Sequence, residues 1–111
     1  MTRNKVYGML SIAAKAGRVK SGELAAEEQI RSGRARLVII AEDASDNTKD
    51  RFSSMCRGRM VPAYGYGTKE ELGRSIGKAE RSVLAVTDEG LAEAVTKNLK
   101  EAEARAYGNG K

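Results

Sequence analysis

The sequence predicts an α/β fold, namely a three-layer α-β-α sandwich on a small, mostly four-stranded mixed sheet. Residues 37–41 and 82–87 are runs of mainly aliphatic and β-branched residues without polar alternation, which is typical of strands covered on both faces. The segments around these runs have apolar residues at helical spacing, so strands and helices alternate along the chain. We therefore expect one domain over residues 1–105 and a flexible tail at residues 106–111.

The first helix is predicted over residues 4–15, with Thr2 as its cap and Gly17 as its end. Four apolar positions at helical spacing indicate its buried face: Val6, Met9, Leu10 and Ala13. Residues 18–20 are then predicted as a short extended link or strand.

A second and a third helix flank the first buried strand. Ser21 is the expected cap of the second helix, which stops at Gly33. The third helix begins after a cap at Ser45 or Asp46 and ends at Gly58. Its buried face is predicted from three residues: Phe52, Met55 and Cys56. The single cysteine is therefore interpreted as a packing residue.

The C-terminal part has a strand at residues 61–64 and a glycine turn at residues 65–67. Thr68 and Glu71 form a capping box, which predicts a short helix directly after the turn. Asp88 caps a last helix, whose apolar positions are Leu91, Val95, Leu99 and Ala102.

The formal net charge is +5, and its distribution along the chain is uneven. Residues 1–36 contain eight basic residues against three acidic ones, so this segment holds the whole excess. Lys15, Arg18 and Lys20 lie around Gly17, where cations beside a glycine turn and a helix start predict a phosphate-binding surface. The alternative is a set of ordinary solvated side chains.

Several classes of function are disfavoured by composition. The chain has no histidine, which excludes Ser-His and Cys-His catalysis, and one cysteine cannot build a thiolate zinc site. No apolar run approaches the roughly 20 residues of a membrane helix. We therefore expect a cytoplasmic protein with no cofactor, no metal, no membrane and no small-molecule substrate, and not an enzyme.

Two short motifs could bind a ligand. The turn at residues 65–69 could hold a phosphate on its N–H groups, but it lacks phosphate-loop spacing, and a turn plus a helix cap explains it fully. Glu42 and Asp43 follow a buried strand, where carboxylates can bind a metal or accept from base amino groups. Asp43 is expected instead to cap the next helix, while the role of Glu42 stays open.

An ordered set of motifs resembles a known family. The motifs are Ala14-Lys15-Ala16-Gly17, Ser21-Gly22-Glu23, Ala41-Glu42-Asp43-Ala44-Ser45, Asn47-Thr48-Lys49, Cys56, Val61-Pro62, Gly67-Thr68-Lys69, Leu72-Gly73, Ile76-Gly77-Lys78 and Thr87-Asp88. Together they resemble the YlxQ-like bacterial branch of the L7Ae/L30e superfamily of ribosomal proteins. The resemblance extends from Arg3 to Leu99.

This resemblance implies an α-β-α sandwich that binds structured RNA such as ribosomal RNA, typically at kink-turns. By position, the RNA would lie against the start of the second helix, the end of the following strand and the loop at residues 78–81. With the flanking basic residues, the implied RNA-binding residues are Lys15, Arg18, Lys20, Ser21, Gly22, Glu23, Leu24, Arg31, Glu42, Asp43, Lys78 and Arg81.

The chain departs from the archaeal-type pattern Gly-x-Asn-Glu-x-x-Lys at the second helix. Leu24, Ala25 and Glu28 stand at the Asn, Glu and Lys positions, and one lost bidentate base contact costs about 1–3 kcal/mol. We expect a non-catalytic RNA-binding protein with weaker or different selectivity. The alternative is a protein-interaction module on the same fold, with Leu24 as an apolar contact, and an enzyme at Glu42 and Asp43 is the third possibility.

Overall fold

The computed structural model describes residues 4–107, in which helices and strands alternate. The helices are α1 (Lys5–Lys15), α2 (Glu23–Arg31), α3 (Asp46–Arg59), α4 (Lys69–Ser75) and α5 (Glu89–Glu101). The strands are β1 (Val19–Ser21), β2 (Leu37–Ile40), β3 (Ala63–Gly65), β4 (Val83–Val86) and β5 (Arg105–Ala106). Helix α1 packs against α4 and α5, and α2 packs against α3, with the sheet between the two groups. The predicted α-β-α sandwich is confirmed.

The strands form one mixed sheet in the order β1-β4-β2-β3-β5. Only β2 and β3 are parallel, and every other pair of neighbours is antiparallel. Val86 of β4 pairs with Val19 of β1 on one side and with Leu37 of β2 on the other. Every residue of β2 and β4 is buried, as the two apolar runs predict, because helices cover both faces of these central strands.

The sheet has five strands where about four were predicted. The fifth is the two-residue edge strand β5, in which Ala106 pairs with Tyr64 and Arg105 pairs with Gly65. The backbone N–H of Tyr107 also donates to the carbonyl oxygen of Ala63 at 2.9 Å. The structure therefore differs from the expected tail at Ala106 and Tyr107, and the remaining residues of that tail lie outside the described part of the chain.

Most of the predicted helix starts are present. Ser45 caps α3 by accepting from the N–H of Thr48, and the Thr68–Glu71 capping box and the Asp88 cap are both confirmed. Helix α1 is capped by Asn4. The predicted cap at Thr2 lies outside the described residues.

The segment between α3 and β3 is shifted along the chain relative to the prediction. Helix α3 continues past Gly58 to Arg59, because Met60 adopts the left-handed conformation, with a φ of 59°, that the glycine was expected to supply. Strand β3 begins at Ala63, since Pro62 has no N–H for the ladder. The carbonyl oxygen of Pro62 still accepts from Val38 at 2.9 Å.

The core is aliphatic apart from the fully buried Phe52 and the largely buried Tyr64 and Cys56. Cys56 is 1% exposed and Leu72 is fully buried, as predicted. Ala102, predicted as a buried position of the last helix, is instead exposed at the C-cap of α5. Within residues 4–107, no helix combines the length and the apolar character needed to cross a membrane.

Candidate nucleic-acid interface

One end of the sheet brings together three loops that are far apart in the sequence. Strands β1 and β2 end here and β4 begins, because both run antiparallel to β4. The N–H of Gly22 donates to Val83 at 2.9 Å, and the N–H of Ala41 donates to Ser82 at 2.8 Å. The start of α2, the β2–α3 loop and the α4–β4 loop are therefore neighbours. The α2 surface, as we define it, consists of Ser21, Gly22, Glu23, Leu24, Glu42, Asp43, Lys78 and Arg81.

Helix α2 begins at this surface without a side-chain cap. Its N-cap is Gly22, whose φ of +96° and ψ of 158° suit only glycine. The other four helices of residues 4–107 each have an Asn, Ser, Thr or Asp cap. The first N–H groups of α2 thus keep their hydrogen-bonding capacity and their partial positive charge for an external acceptor.

Ser21, predicted to cap α2, instead lies in β1 and accepts a hydrogen bond from Arg81. The Arg81 Nε donates to Ser21 Oγ at 3.0 Å, and Nη1 donates to the carbonyl oxygen of Glu80 at 2.9 Å. The backbone N–H of Arg81 donates to Lys69 at 3.0 Å. Because Arg81 pairs with no carboxylate of residues 4–107, its positive charge stays uncompensated beside the start of α2.

The two carboxylates of the β2–α3 loop have different roles. Asp43 Oδ1 accepts from the backbone N–H of Lys69 at 2.8 Å, so Asp43 stabilises the start of α4. The prediction that it caps the next helix, α3, is wrong. Glu42 is exposed, and its Oε1 lies 3.7 Å from the Nε of Arg105. No metal-ligating cluster is present among residues 4–107. Glu42 thus has an exposed ion pair with Arg105, and its carboxylate accepts no hydrogen bond from the described residues.

Glu23 belongs to a charge network between α2 and α3. It accepts from Thr48 Oγ1 at 2.9 Å and from Arg51 at 3.0 Å. Arg51 and Arg31 both donate to the Glu27 carboxylate at 2.8 Å. These two bonds lower the pKa of Glu27, and the bond from Arg51 has the larger effect. The positive charge of Arg31 is thereby matched on the α2–α3 side of the molecule, so the structure does not bring Arg31 to the α2 surface.

The residues that depart from the archaeal-type pattern face outward on α2. Leu24 is 83% exposed, and Glu28 lies one turn further along and is also exposed. Ala25 is half-buried. An apolar and an acidic side chain therefore occupy the solvent-facing side of the first two turns.

The structure does not place all three predicted basic residues on the α2 surface. Lys15 lies with Arg74 and Gly77 along a groove of about 300 Å³ between α1 and α4. Gly77 directly precedes Lys78, so this groove borders the α4–β4 loop. Arg18 and Lys20 line a separate groove of about 440 Å³. This Arg18 groove is formed by Gly17, Arg18, Lys20, Gln29, Arg34, Arg36 and Thr87.

The Arg18 groove lies at the opposite end of the sheet from the α2 surface. Thr87, directly after β4, donates from its backbone N–H to the carbonyl oxygen of Arg18 at 2.9 Å, whereas Ser82, directly before β4, borders the α2 surface. Five strand steps of about 3.4 Å separate these ends by roughly 17 Å. Arg34 and Arg36 were not predicted as site residues, since only the pairing of β2 with β4 brings them beside Arg18.

The glycine turn at residues 65–69 is occupied by protein contacts. The carbonyl oxygen of Gly67 accepts from the backbone N–H of Glu42 at 2.7 Å. The Tyr7 hydroxyl packs against Gly67 and donates to the Glu71 carboxylate at 2.7 Å. Burial and the Glu71 carboxylate raise the pKa of Tyr7. The turn therefore joins α1 to α4, and Thr68 caps α4 directly after it, which agrees with its interpretation as a turn followed by a helix cap. Burial also raises the pKa of Cys56 to about 12, consistent with a packing residue.

Comparisons with known proteins find relatives over most of the chain. The model of the ribosomal protein L7Ae/L30e/S12e/Gadd45 family matches residues 4–104. RNA-binding protein YlxQ of Bacillus subtilis (strain 168) is 43% identical over 86 residues, which are 78% of this chain and 86% of the relative. Large ribosomal subunit protein eL8 of Thermoplasma volcanium is 27% identical over 99 residues, which are 88% and 82% of the two chains.

Solved structures share the fold. A protein of unknown function from Bacillus halodurans C superposes with a TM-score of 0.86 at 31% identity, over 88% of this chain and 99% of that one. The 15.5kD RNA binding protein of Giardia lamblia superposes with a TM-score of 0.75 at 26% identity, over 89% and 85%.

Proposed function

The chain belongs to the ribosomal protein L7Ae/L30e/S12e/Gadd45 family, and we propose on that basis that it is a non-catalytic RNA-binding protein. The proposed ligand is structured RNA of the kink-turn type, such as a kink-turn in ribosomal RNA. The proposed location is the cytoplasm. The proposed binding site is the α2 surface. Support comes from relatives whose names are RNA-binding protein YlxQ and large ribosomal subunit protein eL8.

The observation that supports this site most strongly is the uncapped start of α2 beside an unpaired guanidinium. The free N–H groups after Gly22 suit a phosphate, and Arg81 adds a charge-assisted donor next to them. Lys78 is exposed in the same loop and supplies a further cation. Glu42 is proposed to accept from a base amino group, because base edges are the source of sequence information.

Selectivity on this surface is expected to differ from that of the archaeal type. Leu24 offers an apolar contact to the RNA, and Glu28 repels phosphate one turn further on. The residues at these positions therefore do not provide the amide and the cation of the archaeal pattern, so the attraction for phosphate is assigned to Lys78, Arg81 and the free N–H groups at the start of α2.

Filter binding to a kink-turn RNA and to a plain RNA duplex, across a salt series, tests the proposal. We expect measurable affinity for the kink-turn, with a log–log salt slope that reports several phosphate contacts. Lys78→Gln should lower that slope by about one, whereas the exposed Lys97→Gln on α5 should leave it nearly unchanged. Leu24→Asn should tighten binding to the kink-turn over the duplex. Absence of affinity for either RNA at low salt would refute the proposal.

A second candidate function, docking of a protein on the same fold, has one observation in its favour. Leu24 is a large apolar side chain that is 83% exposed. Charge reversal at the exposed Lys78 separates the two functions, because it should weaken binding of RNA to the α2 surface and leave an apolar protein contact at Leu24 intact.

A further inference from the structure

The Arg18 groove gathers four cations from two separate chain segments. Arg18 and Lys20 come from the segment around β1, and Arg34 and Arg36 come from the α2–β2 loop. All four side chains are exposed. The backbone positions are held on either side of β4, since Arg18 accepts from Thr87 at 2.9 Å and Arg36 donates to Val86 at 2.8 Å. Two strand spacings put Arg18 and Arg36 about 10 Å apart.

These cations are poorly matched by acids. The only carboxylate partner of the four within residues 4–107 is Glu89, whose Oε1 lies 3.5 Å from Arg36 Nε. The C-termini of α1 and α2 add about half a negative charge each. Asp88 adds one negative charge nearby, about half of which is offset by the positive N-terminal end of α5, which it caps. An excess of roughly +1.5 charges is left in the groove. In contrast, the arginines of the α2–α3 network are matched by acids at 2.8–3.0 Å.

A second feature of the groove also indicates a ligand. Gln29 lines it and is only 9% exposed, yet its side-chain amide has no hydrogen-bond partner among the described residues. No side-chain polar atom in this part of the chain is both fully buried and unpartnered, so the amide must reach the solvent of the groove. A largely buried amide that lines a groove with four cations offers a neutral donor and acceptor beside positive charge.

We propose that the Arg18 groove binds the sugar-phosphate backbone of a second RNA segment, separate from the RNA on the α2 surface. Arginine forks suit phosphate oxygens, and the Gln29 amide suits a phosphate oxygen or a ribose 2′-hydroxyl. The groove has no aromatic or large apolar residue for base stacking or peptide side chains, which favours a nucleic-acid backbone over a protein. The protein would then join two RNA segments held roughly 17 Å apart across the sheet.

This inference takes RNA as the ligand from the proposed function, but its test uses a different surface. The preformed complex with a saturating kink-turn RNA is titrated with a labelled plain RNA duplex. The groove variant is Arg18→Gln with Arg34→Gln, since neither residue pairs with a carboxylate of the described chain. The control is Lys5→Gln with Arg57→Gln, which removes the same charge from exposed positions on α1 and α3.

We expect the wild-type complex to bind the duplex and the groove variant to bind it about tenfold or more weakly, with a salt slope lower by about two. The control should stay within about twofold of wild type. Equal losses in both variants, or duplex binding unchanged in the groove variant, would overturn the proposal. So would tighter binding of a DNA duplex or of polyglutamate than of the RNA duplex.

Failure of the proposed function is distinguishable from failure of this inference. If no kink-turn RNA binds, the plain duplex is titrated against the free protein, and the same comparison of groove and control variants decides. Gln29→Met keeps the volume of the side chain and removes its amide. It should weaken duplex binding and reduce the preference for RNA over DNA, and an unchanged preference would contradict the role given to Gln29.

Discussion

Gly73 lies on α4 directly beneath the α4–β4 loop, and replacing it with alanine should both destabilise the fold and displace the α2 surface. A Cβ at this position would lie 2.6 Å from the carbonyl carbon of Ala79, closer still to its oxygen, and 3.1 Å from the Cα of Glu80. Carbon atoms in ordinary contact are separated by about 3.5 Å or more. The loop must therefore retreat by roughly 1 Å, because the obstructing atoms are backbone and cannot rotate away.

The cost follows from what holds the loop in place. The N–H of Lys78 donates to Gly73 at 2.8 Å, and Arg81 donates to Lys69 and to Ser21 at 3.0 Å. A shift of about 1 Å weakens these bonds, each contributing about 0.5–1.5 kcal/mol, in addition to about 1–3 kcal/mol of overpacking. We expect Gly73→Ala to lower the free energy of unfolding by about 2–4 kcal/mol. The corresponding fall in Tm is on the order of 10–20 °C for a domain of this size.

Urea unfolding followed by circular dichroism measures this difference, and Gly58→Ala is the matched control. Gly58 is also helical, but no atom lies within 4 Å of its Cβ position, so alanine there should stabilise by about 0.5–1 kcal/mol. Both changes alter the unfolded chain alike, so their difference isolates the steric clash. A Gly73→Ala protein within about 0.5 kcal/mol of wild type would refute the reasoning. At temperatures where it is folded, it should bind RNA more weakly on the α2 surface.

Three further predictions concern caps, backbone strain and the buried thiol. Thr68→Ala removes one half of the capping box and should lower the free energy of unfolding by about 1 kcal/mol in urea, and no change would contradict the cap. Gly22→Ala meets no atom within 4 Å, yet its φ of +96° should cost about 1–3 kcal/mol, and stabilisation in the same assay would argue against this backbone. The pKa of Cys56 is raised to about 12, so its stabilising effect is complete below pH 9 and is lost as the pH rises from 9 towards 12. The free energy of unfolding should thus fall more steeply above pH 9 than it does in Cys56→Ala. Iodoacetamide should label the thiol only after unfolding, and rapid labelling of the native protein would disprove its burial.

Much of the fold could be predicted because its signals are local. The runs in β2 and β4 are apolar on every residue, which only strands buried on both faces require. Thr68 and Asp88 lie directly before helical segments, where their side chains reach N–H groups two or three residues away. These interactions span a few residues, so their partners are visible in the order of the amino acids.

The errors arose where a residue has a partner that is distant in the sequence. Ser21 has the right type and place to cap α2, but its hydroxyl accepts from Arg81, 60 residues away. Asp43 was assigned to the nearest helix and instead stabilises α4, 26 residues on. Strand β5 has two residues and no apolar pattern, so only its pairing with β3 defines it.

The sequence by itself determined that the excess positive charge lies in the first 36 residues and that Leu24, Ala25 and Glu28 replace the archaeal-type residues. Only the tertiary structure decided that four of these cations, Arg18, Lys20, Arg34 and Arg36, gather in the Arg18 groove, while the cations of the α2 surface come from the later loop at residues 78–81. Strand β4 lies between β1 and β2, so Gly22 and Arg18, four residues apart in the chain, are at opposite ends of the same ladder. An extended strand advances about 3.4 Å per residue, and a few residues are therefore enough to separate the α2 surface from the Arg18 groove.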